Sequence, residues 1–262
     1  MRHLHGAAGA IAALTIGLPV VAQQPDTLHP HAVQPERPTV ATHAGTVARG
    51  WWEIETGLEH DRIGSSTTLL VPTVLKVGVA SHVQVEVFGS AEQPATNITG
   101  FGEFGVNVKW RLLDDAPVLG DFAVEPGIKL PTASRSSGLG TGTTDLLLLL
   151  ISSHEFGPVA MDLNAGYAHR SGNGTNTPKN ATVWTASFGG SAVGPVGWVA
   201  ELYGYPATSG PAGQASIVSF LVGPTFLPRE WLFFDAGIIR PIRGPQPRAL
   251  YAGTVINLGR LW

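Results

Sequence analysis

Apolar and polar residues alternate along twelve segments of this chain, and the connections between the segments alternate between short and long. In residues 103–112, for example, apolar side chains occupy the even positions, and polar side chains or glycine occupy the odd positions. Successive side chains of a strand point to opposite faces of a sheet, so this pattern predicts β-strands. Our strand predictions are 51–59, 67–79, 83–89, 102–113, 121–131, 144–153, 158–169, 182–192, 197–204, 215–226, 231–239 and 249–262.

Ionisable residues recur in mid-strand on the polar side of the alternation. A charge facing lipid near the bilayer midplane costs about 2–4 kcal/mol, so these residues must face an interior. The pattern therefore predicts an all-β fold, a single closed antiparallel transmembrane β-barrel of about 12 strands spanning residues 51–262. The candidates for lining a transport path in its lumen are Glu53, Glu55, Lys76, Glu86, Glu103, Lys109, Arg111, Glu125, Lys129, Asp145, Arg170 and Asp235. Glu59, Asp162, Glu201 and Arg240 are predicted to face the same way.

Apolar residues break this alternation in two strands. In 146–151 both faces of the strand are apolar, and Leu70, Pro72 and Val74 occupy inward positions in the second strand. We therefore predict a tight lumen with an apolar patch rather than a plain water-filled pore.

Composition narrows the class of protein. The chain has 262 residues and a mean hydropathy of +0.15, yet it contains no uninterrupted apolar run long enough for a membrane helix. It has no cysteine, which excludes disulfides, thiolate metal sites and a cysteine nucleophile. The charge balance is too weak to indicate nucleic acid as a partner, and we expect no cofactor and no metal site.

The first 50 residues differ from the rest. Residues 1–22 combine Arg2 with an apolar stretch and a small-residue end at Ala22, which predicts a secretory signal peptide. Residues 23–50 are polar, rich in proline and histidine, and without periodicity. They are expected to form a disordered periplasmic extension, with their histidines simply solvated.

Connection length predicts the orientation, because outer-membrane barrels have short periplasmic turns and longer external loops. With both ends of the barrel in the periplasm, the predicted turns there are 80–82, 114–120, 154–157, 193–196 and 227–230. The predicted external loops are 60–66, 90–101, 132–143, 170–181, 205–214 and 240–248. We expect the protein to reside in the bacterial outer membrane of a Gram-negative envelope.

Three stretches resemble one family over roughly residues 50–262. They are residues 74–87, residues 100–111, and Leu130-Pro131-Thr132 followed by Gly138 to Asp145. They are similar to the outer-membrane proteins named as phenol-degradation meta-pathway transporters. The resemblance implies an outer-membrane barrel with a proposed role in the uptake of aromatic or other small apolar compounds.

The final strand suggests one partner. Its alternating apolar residues end on Trp262, which resembles the recognition signal for the bacterial barrel-assembly machinery, although Arg260 departs from that signal. We expect the other partners to be outer-membrane lipid and a small solute that the sequence does not identify.

The expected function is passive passage of small, apolar or aromatic molecules. The alternative is a structural or adhesive barrel that acts through the loops at 90–101, 132–143 and 170–181. A lipid-modifying enzyme is less favoured. Ser152, Ser153 and His154 are adjacent but lie at a predicted periplasmic end, and His169 with Ser171 is a common loop combination.

Overall fold

The structure, a computed structural model, describes residues 28–94, 99–133, 136, 138–171, 179–207 and 215–262. The predicted signal peptide at 1–22 lies outside the described residues, as do parts of four predicted external loops. Within the described residues no helix is long and apolar enough to cross a membrane.

The alternating segments form long antiparallel strands. The strands are β1 (Trp51–Ile63), β2 (Ser66–Ala80), β3 (Val83–Gln93), β4 (Gly100–Phe101), β5 (Gly105–Ala116), β6 (Gly120–Lys129), β7 (Asp145–Phe156), β8 (Val159–Arg170), β9 (Asn180–Val193), β10 (Val196–Tyr205), β11 (Ile217–Arg229), β12 (Leu232–Arg243) and β13 (Arg248–Arg260). The two-residue β4 pairs with the end of β3, and residues 102–104 separate it from β5.

The sheet closes on itself. Each long strand pairs with its sequence neighbours, and β13 returns to pair with β1 from Trp51↔Arg260 to Arg62↔Arg248. Closure leaves no open edge in lipid, where unpaired backbone groups could not be satisfied. The prediction of a closed antiparallel barrel with twelve membrane-spanning strands is confirmed.

The two faces of the barrel differ as the alternation predicts. Outward side chains such as Leu146, Trp110 and Leu250 are about half exposed or more, while inward Lys76 and Lys109 are fully buried. An apolar outer surface around a charged interior is the arrangement of an outer-membrane barrel, and the chain is one. Arg240 is an exception to the predicted faces, because it is exposed on the outer side near the end of β12.

The end of the barrel that carries the short turns holds the start of β1 and the end of β13. Its turns have two or three residues, for example between Ala80 and Val83 and between Phe156 and Val159. Short turns mark the periplasmic end of outer-membrane barrels. The opposite end carries the longer connections, apart from the two-residue turn between β1 and β2, and is called the external end below.

The greatest difference from the sequence-based expectation concerns residues 28–50, called the luminal segment. They were expected to be disordered in the periplasm, but the structure places them inside the barrel, with Val33, Ala44 and Val47 fully buried. The physical reason is that side chains of the barrel wall accept hydrogen bonds from the amides of this segment. Its stability therefore does not depend on periodicity within the segment.

Candidate functional site

Side chains of the barrel wall hold the luminal segment by its backbone. Seven amides between Gln34 and Val47 donate hydrogen bonds of 2.7–3.0 Å to side-chain oxygens of five strands. The acceptors are Glu53 and Glu55 on β1, Gln84 on β3, Ser153 on β7, Asn164 on β8 and Glu201 on β10. They substitute for the partners that a strand or helix would supply to a buried backbone.

These acceptors show where the segment lies. Each of them is within six residues of the periplasmic end of its strand, and together they are spread around the circumference of the barrel. The luminal segment therefore crosses the width of the lumen in its periplasmic half. Its return to the wall is marked by Gly50, whose amide donates to the Gly78 carbonyl at 2.8 Å.

Two buried lysines form an ion network around the segment. Lys76 Nζ lies 2.5 Å from Glu55 Oε1, 3.2 Å from Glu53 Oε2 and 3.9 Å from Glu36 Oε1. Lys109 Nζ contacts Glu36 and lies 3.9 Å from Glu86 Oε1 and 3.8 Å from Glu125 Oε2. We call these seven residues the lysine network. Removing one partner of such a buried pair costs about 3–5 kcal/mol.

Glu36 joins the wall to the segment because it contacts both lysines. Burial alone would raise the pKa of the Glu36 carboxyl, but Lys109 and Lys76 outweigh that effect and lower the pKa to about 2. Glu36 is therefore ionised at neutral pH, and the luminal segment carries a fixed negative charge between two fixed positive charges of the wall.

A second ion pair holds the segment to β12. Arg37 donates from Nε to Asp235 Oδ2 at 2.9 Å and from Nη2 to Asp235 Oδ1 at 3.1 Å. Inward glycines make room for this side chain, since a Cβ at Gly253 would lie 2.2 Å from Arg37 Nε. A Cβ at Gly57 would similarly lie 2.4 Å from Arg37 Nη2.

His43 is buried in the segment as a neutral ring. The Gly45 amide donates to His43 Nδ1 at 3.0 Å, so the ring proton is on Nε2. Burial and the positive charge of Lys109 together lower the pKa of His43 to about 3, and the Glu36 carboxylate offsets only part of this effect. The hydrogen bond to Nδ1 and the lowered pKa both indicate that the His43 ring is neutral.

A separate cluster of charged side chains lies near the external end. Lys129 contacts Glu103, its Nζ lies 3.3 Å from Asp145 Oδ2, and Arg170 Nε lies 3.7 Å from the same oxygen. Thr141 donates to Glu103 Oε2 at 2.9 Å. We call Glu103, Lys129, Thr141, Asp145 and Arg170 the rim cluster. It ties the described part of the long connection between β6 and β7 to the barrel wall.

Between the rim cluster and the luminal segment, much of the wall is apolar. One cluster on β10–β13 contains buried Val199, Tyr203, Leu221, Ile239 and Tyr251, with Tyr205 packed against it. The apolar inward positions predicted on β7 include Leu149, which packs against buried Ile151, Ala123 and Ala44. The aromatic patch on β10–β13 was not predicted.

Two cavities remain beside these surfaces. One of about 250 Å³ lies against β7–β10, where Leu147, Leu149, Val183 and Tyr205 meet the polar groups of Asn107 and Arg170. The other, of about 160 Å³, lies between Arg37 and Pro38 of the luminal segment and the glycine-rich ends of β9 and β10. The larger cavity is wide enough for several waters or a small organic molecule.

The twelve predicted lumen-lining residues fall into separate groups. Glu53, Glu55, Lys76, Glu86, Lys109 and Glu125 belong to the lysine network, and Glu103, Lys129, Asp145 and Arg170 belong to the rim cluster. Arg111 lies apart from both groups and pairs with Asp114 at 2.9 Å near the periplasmic rim. Asp235 is the partner of Arg37.

Sequence reasoning missed the partners on the luminal segment, above all Glu36 and Arg37. It also missed the uncharged acceptors Gln84, Ser153 and Asn164. Inward amides and hydroxyls near one end of several strands, together with the inward glycines, are the signal that could have indicated an occupied lumen.

The hydroxyl and imidazole groups considered for catalysis lie on β7 and at the external end of β8. Ser152 Oγ lies 3.0 Å from His154 Nε2 on the same face of β7, but this hydroxyl donates its proton to the Leu119 carbonyl at 2.7 Å. His169 Nδ1 lies 3.1 Å from Asn180 Oδ1. Neither arrangement directs a serine proton to a histidine base as nucleophilic catalysis requires.

No protein-family model matches the sequence, and no curated protein sequence matches it. Solved structures do match. The COG4313 outer membrane channel from Pseudomonas putida F1 aligns with a TM-score of 0.62 at 11% identity, covering 84% of this chain and 100% of that one. The KdgM porin aligns with a TM-score of 0.50 at 10% identity, covering 78% of this chain and 99% of that one. KdgM has also been solved in complex with disordered oligogalacturonate.

These likenesses concern the fold. At 10–11% identity, they show that the chain shares its barrel architecture with outer-membrane channels and porins. No matching sequence or structure supports the more specific resemblance to the phenol-degradation meta-pathway transporters.

Proposed function

We propose that the protein is a passive outer-membrane channel for small molecules, and that the luminal segment closes it from the periplasmic side. The observation that carries the proposal is the way the segment is held. Its attachment consists chiefly of hydrogen bonds and ion pairs to the wall, with Ala44 packed in a small apolar cluster. Such contacts exchange with water at a modest net cost, about 0.5–1.5 kcal/mol for a typical hydrogen bond. The buried ion pairs cost more to break, so the closed state is favoured and the segment leaves only when these contacts exchange with water together.

We propose small apolar or aromatic compounds as the solutes. The support is the patch of Tyr203, Tyr205, Leu221 and Tyr251 in the external half, next to the cavity bordered by Leu147 and Leu149. Aromatic rings offer a large apolar face with a polar edge, which suits such solutes. The resemblance of residues 74–87 and 100–111 to the phenol-pathway transporters points the same way. The twelve predicted residues would line the path or hold the luminal segment in place, and they would not form a solute-binding site.

Solute flux into liposomes tests the proposal. We expect slow flux through the full-length protein and fast flux through a variant that lacks residues 28–46, because Ala48 to Gly50 would still complete the start of β1. A series of solutes of equal size should rank aromatic compounds above sugars. Heat-modifiable migration in a gel verifies that each barrel is folded.

A folded shortened barrel that passes no solute would refute the channel and would favour the alternative, a structural barrel. Equal rates for aromatic compounds and sugars would leave the channel in place and refute the proposed solute class.

A further inference from the structure

The outer surface of the barrel carries a row of arginines at its external end. Arg62 on β1 and Arg248 on β13 lie directly opposite each other in the antiparallel register, and both are exposed. The β12–β13 register ends at Ile239↔Ala249, and one further residue sets Arg240 opposite Arg248. Arg62, Arg248 and Arg240 thus lie side by side on three adjacent strands; we call them the arginine row.

Such an arrangement is unfavourable without a counter-charge. Neighbouring strands are about 4.8 Å apart, and like charges directly opposite each other destabilise an antiparallel pair. Arg62 Nε donates to the Gly64 carbonyl at 3.3 Å, which supplies no charge. Among the described residues, no carboxylate forms an ion pair with any member of the row.

The missing partner is not elsewhere on the external surface. Acidic residues in the external half of the strands, such as Glu59, Asp61 and Glu92, lie on the inward side of the alternation. The external segments outside the described residues contain no aspartate or glutamate in the sequence at 95–98, 134–135, 137, 172–178 and 208–214. The chain therefore offers the row no anion at this end, and the anion must come from outside the chain.

The surroundings of the row indicate what carries that anion. Two residues deeper on the same outward face lie Leu250, which is 61% exposed, and Ile238. The corresponding residue below Arg62 is His60, so the guanidinium groups lie at the external border of a mainly apolar outer surface. Guanidinium groups also bind phosphate bidentately.

We propose that the arginine row binds the phosphorylated headgroup of the outer-leaflet glycolipid, lipid A, while the apolar surface beneath it contacts the acyl chains. Three guanidinium groups over about 10 Å suit a headgroup with more than one phosphate better than a phospholipid with a single phosphate. The site is on the outside of the barrel and does not depend on the channel function.

Native mass spectrometry of the purified full-length protein with added lipid tests the site. The probes are bis-phosphorylated lipid A, mono-phosphorylated lipid A and phosphatidylglycerol. The variant Arg62→Gln/Arg240→Gln/Arg248→Gln should bind bis-phosphorylated lipid A at least about tenfold more weakly than the parent protein, since it loses the charge-assisted hydrogen bonds. Lys179→Gln removes one positive charge at the same end, next to β9, and should change binding less than about twofold.

Four outcomes would overturn the proposal. They are unchanged lipid A binding by the triple variant, an equal loss in Lys179→Gln, equally tight binding of phosphatidylglycerol to the parent protein, and displacement of lipid A by millimolar inorganic phosphate. If the triple variant does not fold, Arg248→Gln alone decides the matter, because Arg248 is the middle member of the row. It should lower lipid A affinity several-fold in a barrel that retains heat-modifiable migration, and unchanged affinity would again overturn the proposal.

Discussion

Arg37 of the luminal segment and Asp235 of β12 form a two-point ion pair, with Nε–Oδ2 at 2.9 Å and Nη2–Oδ1 at 3.1 Å. The Asp235 side chain is fully buried, and the Arg37 side chain is 13% exposed. Glu36, the preceding residue, contacts Lys109 on the other side of the lumen. Two consecutive residues therefore tie the segment to opposite walls, and this explains how a chain without regular structure spans the lumen.

Loss of the Arg37–Asp235 pair should open the channel. In Arg37→Gln the buried Asp235 carboxylate keeps no cationic partner, which should weaken the inserted state by about 3 kcal/mol. We expect a higher open probability in single-channel recordings. Asp235→Asn should behave alike, and the double variant should add little to either single change. Additive effects of the two substitutions would contradict the assignment of Arg37 and Asp235 to one ion pair that holds the segment.

Gly253→Ala tests the same ion pair by a change in the barrel wall next to Arg37. All three atoms nearest to a Cβ at Gly253 belong to Arg37, at 2.2–2.3 Å, so the methyl group should displace the guanidinium. We expect an increased open probability with unchanged barrel stability. The effect should vanish in an Arg37→Ala background.

Gly189→Ala is the matched control for that prediction, because a Cβ there meets only the Trp198 carbonyl, at 3.4 Å. If Gly189→Ala opened the channel as much as Gly253→Ala, displacement of Arg37 would not be the cause.

The barrel was predictable because the sequence pattern that specifies each strand lies within that strand. The alternation in 103–112 and the inward charges at Lys76, Lys109 and Lys129 follow from the two-residue period of a strand and the cost of charge in lipid. The luminal segment was not predictable in this way. Its amides bond to Glu201 and Asn164, more than 100 residues away, and no periodicity within residues 28–50 reports such contacts.

Acid should loosen the luminal segment through His43. Its pKa is lowered to about 3 in the inserted state, from an ordinary value of 6.5. A lowered histidine pKa means that the stabilisation is complete above about pH 6.5 and is lost as the pH falls toward 3. At pH 5 the loss should be about 2 kcal/mol.

Comparison with His43→Asn isolates this contribution. The open probability of the parent protein should rise between pH 7 and pH 5 more steeply than that of His43→Asn. Carboxylates of the wall titrate in both proteins, so the difference between the two profiles belongs to His43. Identical profiles would mean that His43 is not buried as a neutral ring.

Lys109 should matter for the barrel itself as well as for the luminal segment. Lys109→Met leaves Glu36, Glu86 and Glu125 without their shared cation, at a cost of about 3–5 kcal/mol. We expect a lower temperature of unfolding in heat-modifiability gels. Adding Glu36→Gln to Lys109→Met should recover part of the loss. No recovery would show that Glu36 does not belong to the lysine network.

The candidate site combines predictable and unpredictable parts for the same reason. Inward charges such as Glu53 and Asp145 follow from the alternation, but their partners depend on which strands become neighbours. The aromatic patch at Tyr203 and Tyr251 was missed because isolated inward tyrosines on separate strands form a surface only after the barrel closes.

Reversible cross-linking of the luminal segment tests its gating role most directly. The chain has no cysteine, so Ala41→Cys/Glu201→Cys introduces a unique pair where the Ala41 amide lies 2.7 Å from Glu201 Oε1. With a short bis-methanethiosulfonate reagent, conductance should fall to the closed level, and it should return when a reductant cleaves the bridge. The single variant Ala41→Cys, treated identically, should not respond. Equal conductance of the cross-linked and reduced double variant would contradict the claim that this segment closes the channel.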